Sequence, residues 1–199
     1  MKLDPFYPIV DSAAWVARIV PLGVRLVQLR IKDRPEDAIR AEIREAEALC
    51  RANDCLLVVN DFWRIAIEEG CRFVHLGQED LADADLDAIR KAGLGLGLSS
   101  HDHAELETAL AARPDYIALG PVYPTILKKM KWAEQGLDKL TEWKAAIGDI
   151  PLVAIGGMSV ERAPGAFAAG ADIVSAVTDI TLNEDPEGRV RAWLAATRR

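Results

Sequence analysis

An eightfold alternation of short apolar segments with helical patterns is the feature that most limits how this chain can fold. Each apolar segment is rich in the aliphatic residues typical of buried strands, and each is followed by a stretch with helical spacing. The segments lie at 6–10, 24–32, 55–59, 73–76, 94–98, 115–119, 151–155 and 171–177. Such alternation favours a parallel sheet covered by helices. Eight units predict a single-domain α/β protein, a (β/α)8 TIM barrel over residues 1–199, with a doubly wound open sheet as the alternative.

The composition limits the partners that such a barrel can have. The formal net charge of −7 argues against nucleic acid and acidic membranes as general partners. Cys50, Cys55 and Cys71 are odd in number and lack a CxxC spacing, so the sequence predicts reduced core thiols rather than disulfides or a zinc site. Residues 1–10 contain no apolar run long enough for a signal or membrane span. We therefore expect a cytoplasmic protein in which a local cationic site meets any anion that is bound, and the sequence leaves a homo-oligomer open.

The strand predicted around residues 24–33 carries unusual polar side chains on one face. Because side chains alternate along a strand, Leu26, Gln28, Arg30 and Lys32 share one face, while apolar residues occupy the other. Cations buried without partners are costly, so Arg30 and Lys32 should meet anions at the end of this strand. The alternative is a strand end that frays into solvent, with both cations simply hydrated.

Carboxylates follow two consecutive predicted strands. Asn60 and Asp61 close one strand, and Asp80 comes just after the next. Neighbouring strands lie about 4.8 Å apart, so these side chains can share one cation. Oxygen ligands without clustered His or Cys favour magnesium, which takes one or two carboxylates together with substrate phosphates. The alternative is that Asp61 and Asp80 are helix N-caps, a common position for aspartate.

Glycines mark two further places at the expected mouth of the barrel. In the regular alternation of residues 94–99, Gly95, Gly97 and Ser99 should face the interior and leave room for a flat ligand, unless the glycines only ease a bend. The pair Gly156–Gly157 follows the seventh strand, where backbone N–H groups of such barrels commonly hold phosphate. Val177 and Thr178 follow the eighth strand and occupy the corresponding position.

Two other features leave their role open. The loop at 123–132 is long and basic in an acidic protein, which is typical of a functional lid but equally of a hydrated run of charges. Among the histidines, His75 is predicted to point inward as a polar core or site residue. His101 and His103 are predicted at the start of a surface helix.

Taken together, these segments resemble the thiamine phosphate synthase family over about residues 24–180. The motifs that carry the resemblance occur in the family's order and spacing: Gln28-Leu29-Arg30-x-Lys32, Asn60-Asp61, His75-Leu76-Gly77-Gln78-Glu79-Asp80, Gly97-Leu98-Ser99-Ser100-His101, Gly120-Pro121-Val122-Tyr123-Pro124-Thr125 and Ala154-Ile155-Gly156-Gly157. The resemblance implies a (β/α)8 barrel. It also implies a magnesium-dependent transferase that joins hydroxymethylpyrimidine diphosphate to a thiazole phosphate and releases pyrophosphate.

The resemblance also implies residue roles. The positions that match contacts to the pyrimidine diphosphate are Gln28, Arg30, Lys32, Asn60, Ser99 and Lys128, of which Arg30, Lys32, Ser99 and Lys128 are the candidate catalytic residues. The positions that match magnesium ligands are Asp61 and Asp80. The positions that match the thiazole phosphate site are Thr125, Gly157, Val177 and Thr178.

The chain departs from the family pattern at three positions. Ile31 replaces a usual Glu, but strand alternation predicts that this side chain faces away from the site. Leu127 replaces a usual Thr and removes a hydroxyl, which puts recognition of the thiazole in question. Thr178 replaces a usual Ser, a mild change.

Two alternative functions follow from the same features. One is a related thiazole tautomerase, which typically has a His where Pro121 stands. The other is a phosphate-ligand binding barrel without catalysis, for which Leu127 is the support.

Overall fold

The computed structural model describes residues 2–125 and 133–198. Eight parallel strands form a closed barrel in sequence order, and the eighth strand pairs with the first. The barrel confirms the predicted (β/α)8 class and excludes the open sheet. The strands are β1 Phe6–Val10, β2 Leu26–Leu29, β3 Leu56–Asn60, β4 Phe73–Leu76, β5 Gly95–Ser100, β6 Tyr116–Leu119, β7 Leu152–Ala154 and β8 Ile173–Ala176.

Helices of the described residues surround this barrel. They are α1 Ala13–Ile19, α2 Glu36–Ala52, α3 Trp63–Glu68, α4 Gln78–Asp83, α5 Leu86–Lys91, α6 His103–Ala111, α7 Gly136–Ile147, α8 Ala163–Ala168, α9 Thr178–Thr181 and α10 Pro186–Thr197. Within the described ranges, none of them is long and apolar enough to cross a membrane.

Two short helices were not predicted from the sequence. The six-residue α4 and the four-residue α9 begin within two residues of the ends of β4 and β8. Segments this short contain no repeated apolar stripe, and periodicity is the signal on which helix prediction depends. Both carry residues of the predicted site, Asp80 in α4 and Thr178 in α9.

The buried side chains form two shells, as the alternation of each strand requires. One shell lies between barrel and helices and includes Trp143 and Trp193. The other fills the barrel and contains inward-facing residues such as Tyr7, Phe73 and Tyr116. The three cysteines are free and buried, as predicted. Because the inward-facing side chains fill the interior of the barrel, a ligand can enter only at the carboxyl ends of the strands.

Candidate functional site

The predicted site residues that the structure describes lie at the carboxyl ends of the strands. They therefore share one face of the barrel, where sites of this fold are built. Lys128 and Leu127 lie outside the described residues. The others are Gln28, Arg30 and Lys32 on or after β2, Asn60 and Asp61 at the end of β3, Asp80 after β4, Ser99 in β5, Thr125 after β6, Gly157 after β7, and Val177 and Thr178 after β8.

Asp61 and Asp80 form a carboxylate pair beside a lysine. Asp61 has a φ of 66°, a left-handed conformation that aspartate tolerates better than most residues, and its N–H donates to the backbone oxygen of His75 at 2.9 Å. Its Oδ2 accepts a hydrogen bond of 2.6 Å from Lys32 Nζ. The pKa of Asp80 is raised, first because the carboxyl is partly desolvated and second because the negative charge of Asp61 faces it. Two anionic groups are thus held together at the mouth.

Neither aspartate is a helix N-cap. The N-cap of α3 is Phe62, and that of α4 is Gly77, with no side-chain capping hydrogen bond at either. The alternative of simple caps is therefore excluded for both carboxylates. Within residues 2–125 and 133–198, no group of three or more His, Cys, Asp and Glu could hold a metal ion. Two carboxylates suit magnesium, which keeps waters and substrate phosphates as its remaining ligands.

Arg30 is exposed at the mouth, and its positive charge acts on the imidazole of His75. Within the described part of the chain its side chain makes no hydrogen bond or ion pair, so the guanidinium is available to an anion. Asn60 is only 5% exposed and likewise has no side-chain hydrogen bond to a described residue. Ile31 is buried in the outer shell, which confirms that its side chain faces away from the site.

Ser99 is held from two sides. Its Oγ lies 2.9 Å from His75 Nε2, and its backbone oxygen accepts from Gln78 Nε2 at 2.6 Å. His75 is buried, as predicted, and its Nδ1 lies 2.8 Å from the hydroxyl of Tyr116. Burial lowers the pKa of His75 to about 4, with the positive charge of Arg30 acting in the same direction and Asp61 opposing it. The imidazole is therefore neutral at physiological pH.

The glycines of β5 face the interior, but the prediction that they leave room for a flat ligand is wrong. A Cβ at Gly95 would lie 2.4 Å from the ring of Phe73, and one at Gly97 would lie 2.0 Å from the ring of Tyr116. These two rings stack on each other with centroids 5.6 Å apart. The volume that the glycines release is therefore filled by the aromatic side chains of the neighbouring strands, and only Ser99 of this segment lies at the mouth.

Gly156 and Gly157 adopt conformations that favour glycine. Their φ angles are 90° and 63°, and a Cβ at Gly157 would lie 2.5 Å from the backbone oxygen of Pro124. The loop after β6 is bonded to this segment, because Val122 N donates to Ile155 O at 2.9 Å and Tyr123 N to Gly156 O at 3.0 Å. Thr125 is thereby brought close to the glycine pair, as the phosphate-site prediction requires.

Val177 and Thr178 lie at the start of α9. Val177 is the N-cap residue, and its oxygen accepts from the N–H groups of Ile180 and Thr181. A helix start leaves its first backbone N–H groups without intrahelical partners, and Thr178 carries one of them. The side chain of Asp179 accepts from Arg189 and from Trp193 Nε1, which fixes α9 on α10.

Several residues that shape the site were missed by sequence reasoning. Arg162 donates to the backbone oxygen of Gly157 and stacks over the ring of Tyr123, with 4.5 Å from its Cζ to the ring centroid. Tyr7 and Tyr116 connect Gln28 to His75 inside the barrel. The two tyrosines had a usable signal, since both stand at inward positions of their strands, where a hydroxyl needs a partner. Nothing in the sequence distinguishes Arg162 from other surface arginines.

The chain is similar in sequence to proteins of known function. The model of the family described as "Thiamine monophosphate synthase" matches residues 6–180. The chain belongs to this family. The matched range includes β1, which lay outside the sequence motifs. Curated relatives include a thiamine-phosphate synthase of Rhizobium etli, 67% identical over 99% of this chain and 97% of the relative. Another, of Salmonella newport, is 49% identical over 96% of this chain and 87% of the relative.

Solved structures support the fold. A thiamine phosphate pyrophosphorylase from Pyrococcus furiosus superposes with a TM-score of 0.85 at 24% identity, covering 96% of this chain and 94% of that one. A 3-hexulose-6-phosphate synthase superposes with a TM-score of 0.70 at 17% identity, covering 96% and 99%. The predicted family, the thiamine-phosphate synthase function and its transferase class are confirmed by the family match and the curated relatives.

Proposed function

We propose that this member of the family joins hydroxymethylpyrimidine diphosphate to a thiazole phosphate and releases pyrophosphate, with magnesium as the required ion. The main support for the proposal is that cationic and carboxylate side chains lie together at the same mouth of the barrel. Lys32 bonds Asp61 of the carboxylate pair, and Arg30, two residues earlier after the same strand, acts with its positive charge on the neighbouring His75. A diphosphate that carries a magnesium ion is complementary to that arrangement.

Asp61 and Asp80 would hold the ion. Partial burial and then the facing charge of Asp61 raise the pKa of Asp80, and a bound divalent cation would offset the repulsion between the two carboxylates. When bound, magnesium supplies charge neutralisation for the departing pyrophosphate. Lys32, which bonds Asp61 in this structure, could turn its ammonium toward the diphosphate once the ion balances the aspartate.

The reaction needs no nucleophilic side chain. The bond between the pyrimidine methylene carbon and the diphosphate oxygen breaks, and the electron pair leaves with pyrophosphate. Arg30, Lys32 and Lys128 would stabilise the negative charge that grows on it. The amino-substituted ring stabilises the positive methylene carbon, and the thiazole nitrogen then forms the new C–N bond. The rate enhancement then comes from positioning of the two substrates and from electrostatic stabilisation of the departing pyrophosphate.

The pyrimidine would be held by Gln28, Asn60 and Ser99. All three sit on the inward face of β2, β3 and β5, and Asn60 has its amide uncommitted within the described residues. The thiazole phosphate would be held on the opposite side of the mouth by Gly157, Val177, Thr178 and Thr125. The glycines there have positive φ angles, and successive backbone N–H groups in such turns can bind an anion.

Two alternatives remain to be separated by experiment. A thiazole tautomerase has little support, because Pro121 stands where that enzyme typically has His and because the curated relatives are named as synthases. A binding barrel without catalysis would keep the phosphate contacts and lose turnover.

The direct test is incubation of the pure protein with both substrates and magnesium. Thiamine phosphate is measured by its fluorescence after oxidation, and parallel reactions omit each substrate or contain a chelator. Product that requires both substrates and magnesium supports the proposal. Isomerisation of a thiazole carboxylate phosphate without the pyrimidine would support the tautomerase. Saturable binding of both phosphates without product would support the binding barrel.

We further propose one barrel domain over residues 1–199 and a cytoplasmic location, which the three free, buried thiols support. Homo-oligomerisation stays a prediction that a mass measurement in solution can decide. The proposed partners are the two small-molecule substrates.

A further inference from the structure

Five polar side chains form a continuous chain of hydrogen bonds through the interior of the barrel. Gln28 Nε2 lies 2.8 Å from the hydroxyl of Tyr7, which lies 2.8 Å from the hydroxyl of Tyr116. The Tyr116 hydroxyl lies 2.8 Å from His75 Nδ1, and His75 Nε2 lies 2.9 Å from Ser99 Oγ. The three inner members, Tyr7, Tyr116 and His75, are each 8% exposed or less. The two ends of the chain, Gln28 and Ser99, are both candidate contacts to the pyrimidine diphosphate.

The direction of each hydrogen bond follows from counting donors and acceptors. The hydroxyl of Tyr7 is fully buried and meets the amide nitrogen of Gln28, which can only donate. Its own hydrogen therefore has one described acceptor, the hydroxyl oxygen of Tyr116. A buried O–H left without an acceptor is costly, so the hydrogen of Tyr7 is assigned to Tyr116.

The same reasoning fixes the next two bonds. Tyr116 accepts the hydrogen of Tyr7 and gives its own to His75 Nδ1, the remaining acceptor beside it among the described residues. A neutral imidazole whose Nδ1 accepts carries its hydrogen on Nε2. That N–H points at Ser99 Oγ, so His75 donates to Ser99.

We propose that Tyr7, Tyr116 and His75 are positioning residues that set the polarity of the substrate contacts at both ends of this chain. Because Ser99 accepts from His75, its own hydroxyl hydrogen is directed to the ligand. Because Gln28 uses its amide nitrogen on Tyr7, it presents its carbonyl oxygen to the ligand. The mouth therefore offers a donor at Ser99 and an acceptor at Gln28. That pair is complementary to a ring nitrogen beside an amino group.

Packing supports a fixed rather than a fluctuating network. The ring of Tyr116 lies between those of Phe73 and His75, with interplanar angles of 10° and 13° and centroid distances of 5.6 Å to each. Gly97 opposite Tyr116 leaves the volume in which the ring lies. Gln78 holds the backbone oxygen of Ser99. The hydroxyl of Ser99 is thus aimed by groups that are themselves locked.

The first test measures the tautomer of His75 and does not depend on activity. In ¹⁵N-labelled protein at neutral pH, long-range proton–nitrogen correlation distinguishes the two ring nitrogens, and His75→Gln assigns the signals among the three histidines. We expect hydrogen on Nε2 and none on Nδ1 in the wild type and in Tyr7→Phe. In Tyr116→Phe the Nδ1 resonance should move downfield, because it loses its hydrogen bond. Hydrogen on Nδ1 in the wild type, or an unmoved resonance in Tyr116→Phe, would overturn the proposal.

The second test is kinetic and depends on the proposed function. His75→Gln keeps an N–H that can reach Ser99, whereas His75→Leu keeps a similar volume and has no donor. We expect His75→Leu to lose about tenfold more kcat/KM for the pyrimidine diphosphate than His75→Gln, with the KM for the thiazole phosphate within about twofold of wild type in both. Equal losses in the two variants, or equal losses for both substrates, would indicate a packing role only.

The two tests separate failure of this inference from failure of the proposed function. If the wild type makes no thiamine phosphate, the proposed function fails, and the tautomer of His75 still decides whether the network has the assigned direction. If a His75 variant does not fold, as judged by circular dichroism, His75 is assigned by the resonance that moves in Tyr116→Phe, and the tautomer measurement on the wild type then decides alone.

Discussion

The two sides of the barrel mouth are built from different parts of the chain. The side formed by β2 to β5 presents side chains: two cations, two carboxylates, an asparagine and a serine. The side formed by β6 to β8 presents mainly backbone, at Gly156, Gly157 and the start of α9. Charged side chains can be deleted singly, whereas a backbone site is sensitive mainly to the conformation of the loop. Substitutions should therefore affect the two substrates differently, and four predictions follow in order of expected effect.

The largest effect is expected at Asp61. Asp61→Asn removes one of the two carboxylates proposed for magnesium, so kcat should fall by about a hundredfold or more while the fold is retained. Turnover is measured at saturating substrates over a range of magnesium concentrations. The matched control is Asp54→Asn, because Asp54 also has a positive φ and precedes the same strand at its other end, with its side chain 93% exposed. Near-normal turnover in Asp61→Asn would remove the metal from this side of the mouth.

A smaller loss is expected at Arg30. Arg30→Ala deletes a charge-assisted contact to the diphosphate, so kcat/KM for that substrate should fall by about tenfold to a hundredfold. Pyrophosphate should raise the melting temperature of the wild type and raise that of the mutant much less. Arg25→Ala, at the other end of the same strand, should behave as wild type in both measurements. If pyrophosphate raises the melting temperatures of Arg30→Ala and Arg25→Ala equally, Arg30 does not bind the anion.

The backbone side is tested at Gly157. An alanine there must adopt a φ of 63° and place its Cβ 2.5 Å from Pro124 O, so the loop has to shift. We expect the KM for the thiazole phosphate to rise by about fivefold to tenfold with little change for the pyrimidine diphosphate, since the strain is of order 1–2 kcal/mol. Gly148→Ala is the control, because Gly148 has a φ of 61° and no atom of the described residues lies within 4 Å of a Cβ built there. If both Michaelis constants rise together, the two sides of the mouth do not act separately.

The smallest effect concerns stability. The folded-state pKa of Asp80 is raised above its ordinary value, so ionised Asp80 destabilises the metal-free protein above that pKa, and this cost disappears as pH falls through it. Asp80→Asn should therefore raise the melting temperature at pH 7 by about 1–2 °C, and the gain should vanish in acid.

The stability prediction has its own control. Glu79→Gln removes a charge from the exposed neighbouring residue. Melting curves of both variants are recorded from pH 4 to pH 8 with a chelator present. A gain in Asp80→Asn that persists unchanged at pH 4 would contradict an origin in the ionisation of Asp80.

The two glycine pairs show where sequence reasoning stopped short. Gly95 and Gly97 are predicted to leave space for a ligand, and Gly156 and Gly157 to bring backbone N–H groups to a phosphate. Gly156 and Gly157 have positive φ angles, which favour glycine, and their contact to a phosphate stays a prediction. At Gly95 and Gly97 the space belongs to Phe73 and Tyr116, because a strand pattern shows which way a residue faces but not which neighbour reaches across it.

The sequence by itself determined the eight strands, the faces of β2 and β5, and the placing of Gln28, Arg30, Asn60, Asp61 and Asp80 around one mouth. These follow from local periodicity and from the rule that parallel strands bring their carboxyl ends together. Only the tertiary structure decided that Lys32 bonds Asp61, that Arg162 holds the Gly157 backbone, and that two tyrosines join Gln28 to His75 and Ser99. Those contacts connect residues far apart in the chain. Closure of the barrel and side-chain packing determine which of these residues come into contact, and a local sequence pattern contains no information about either.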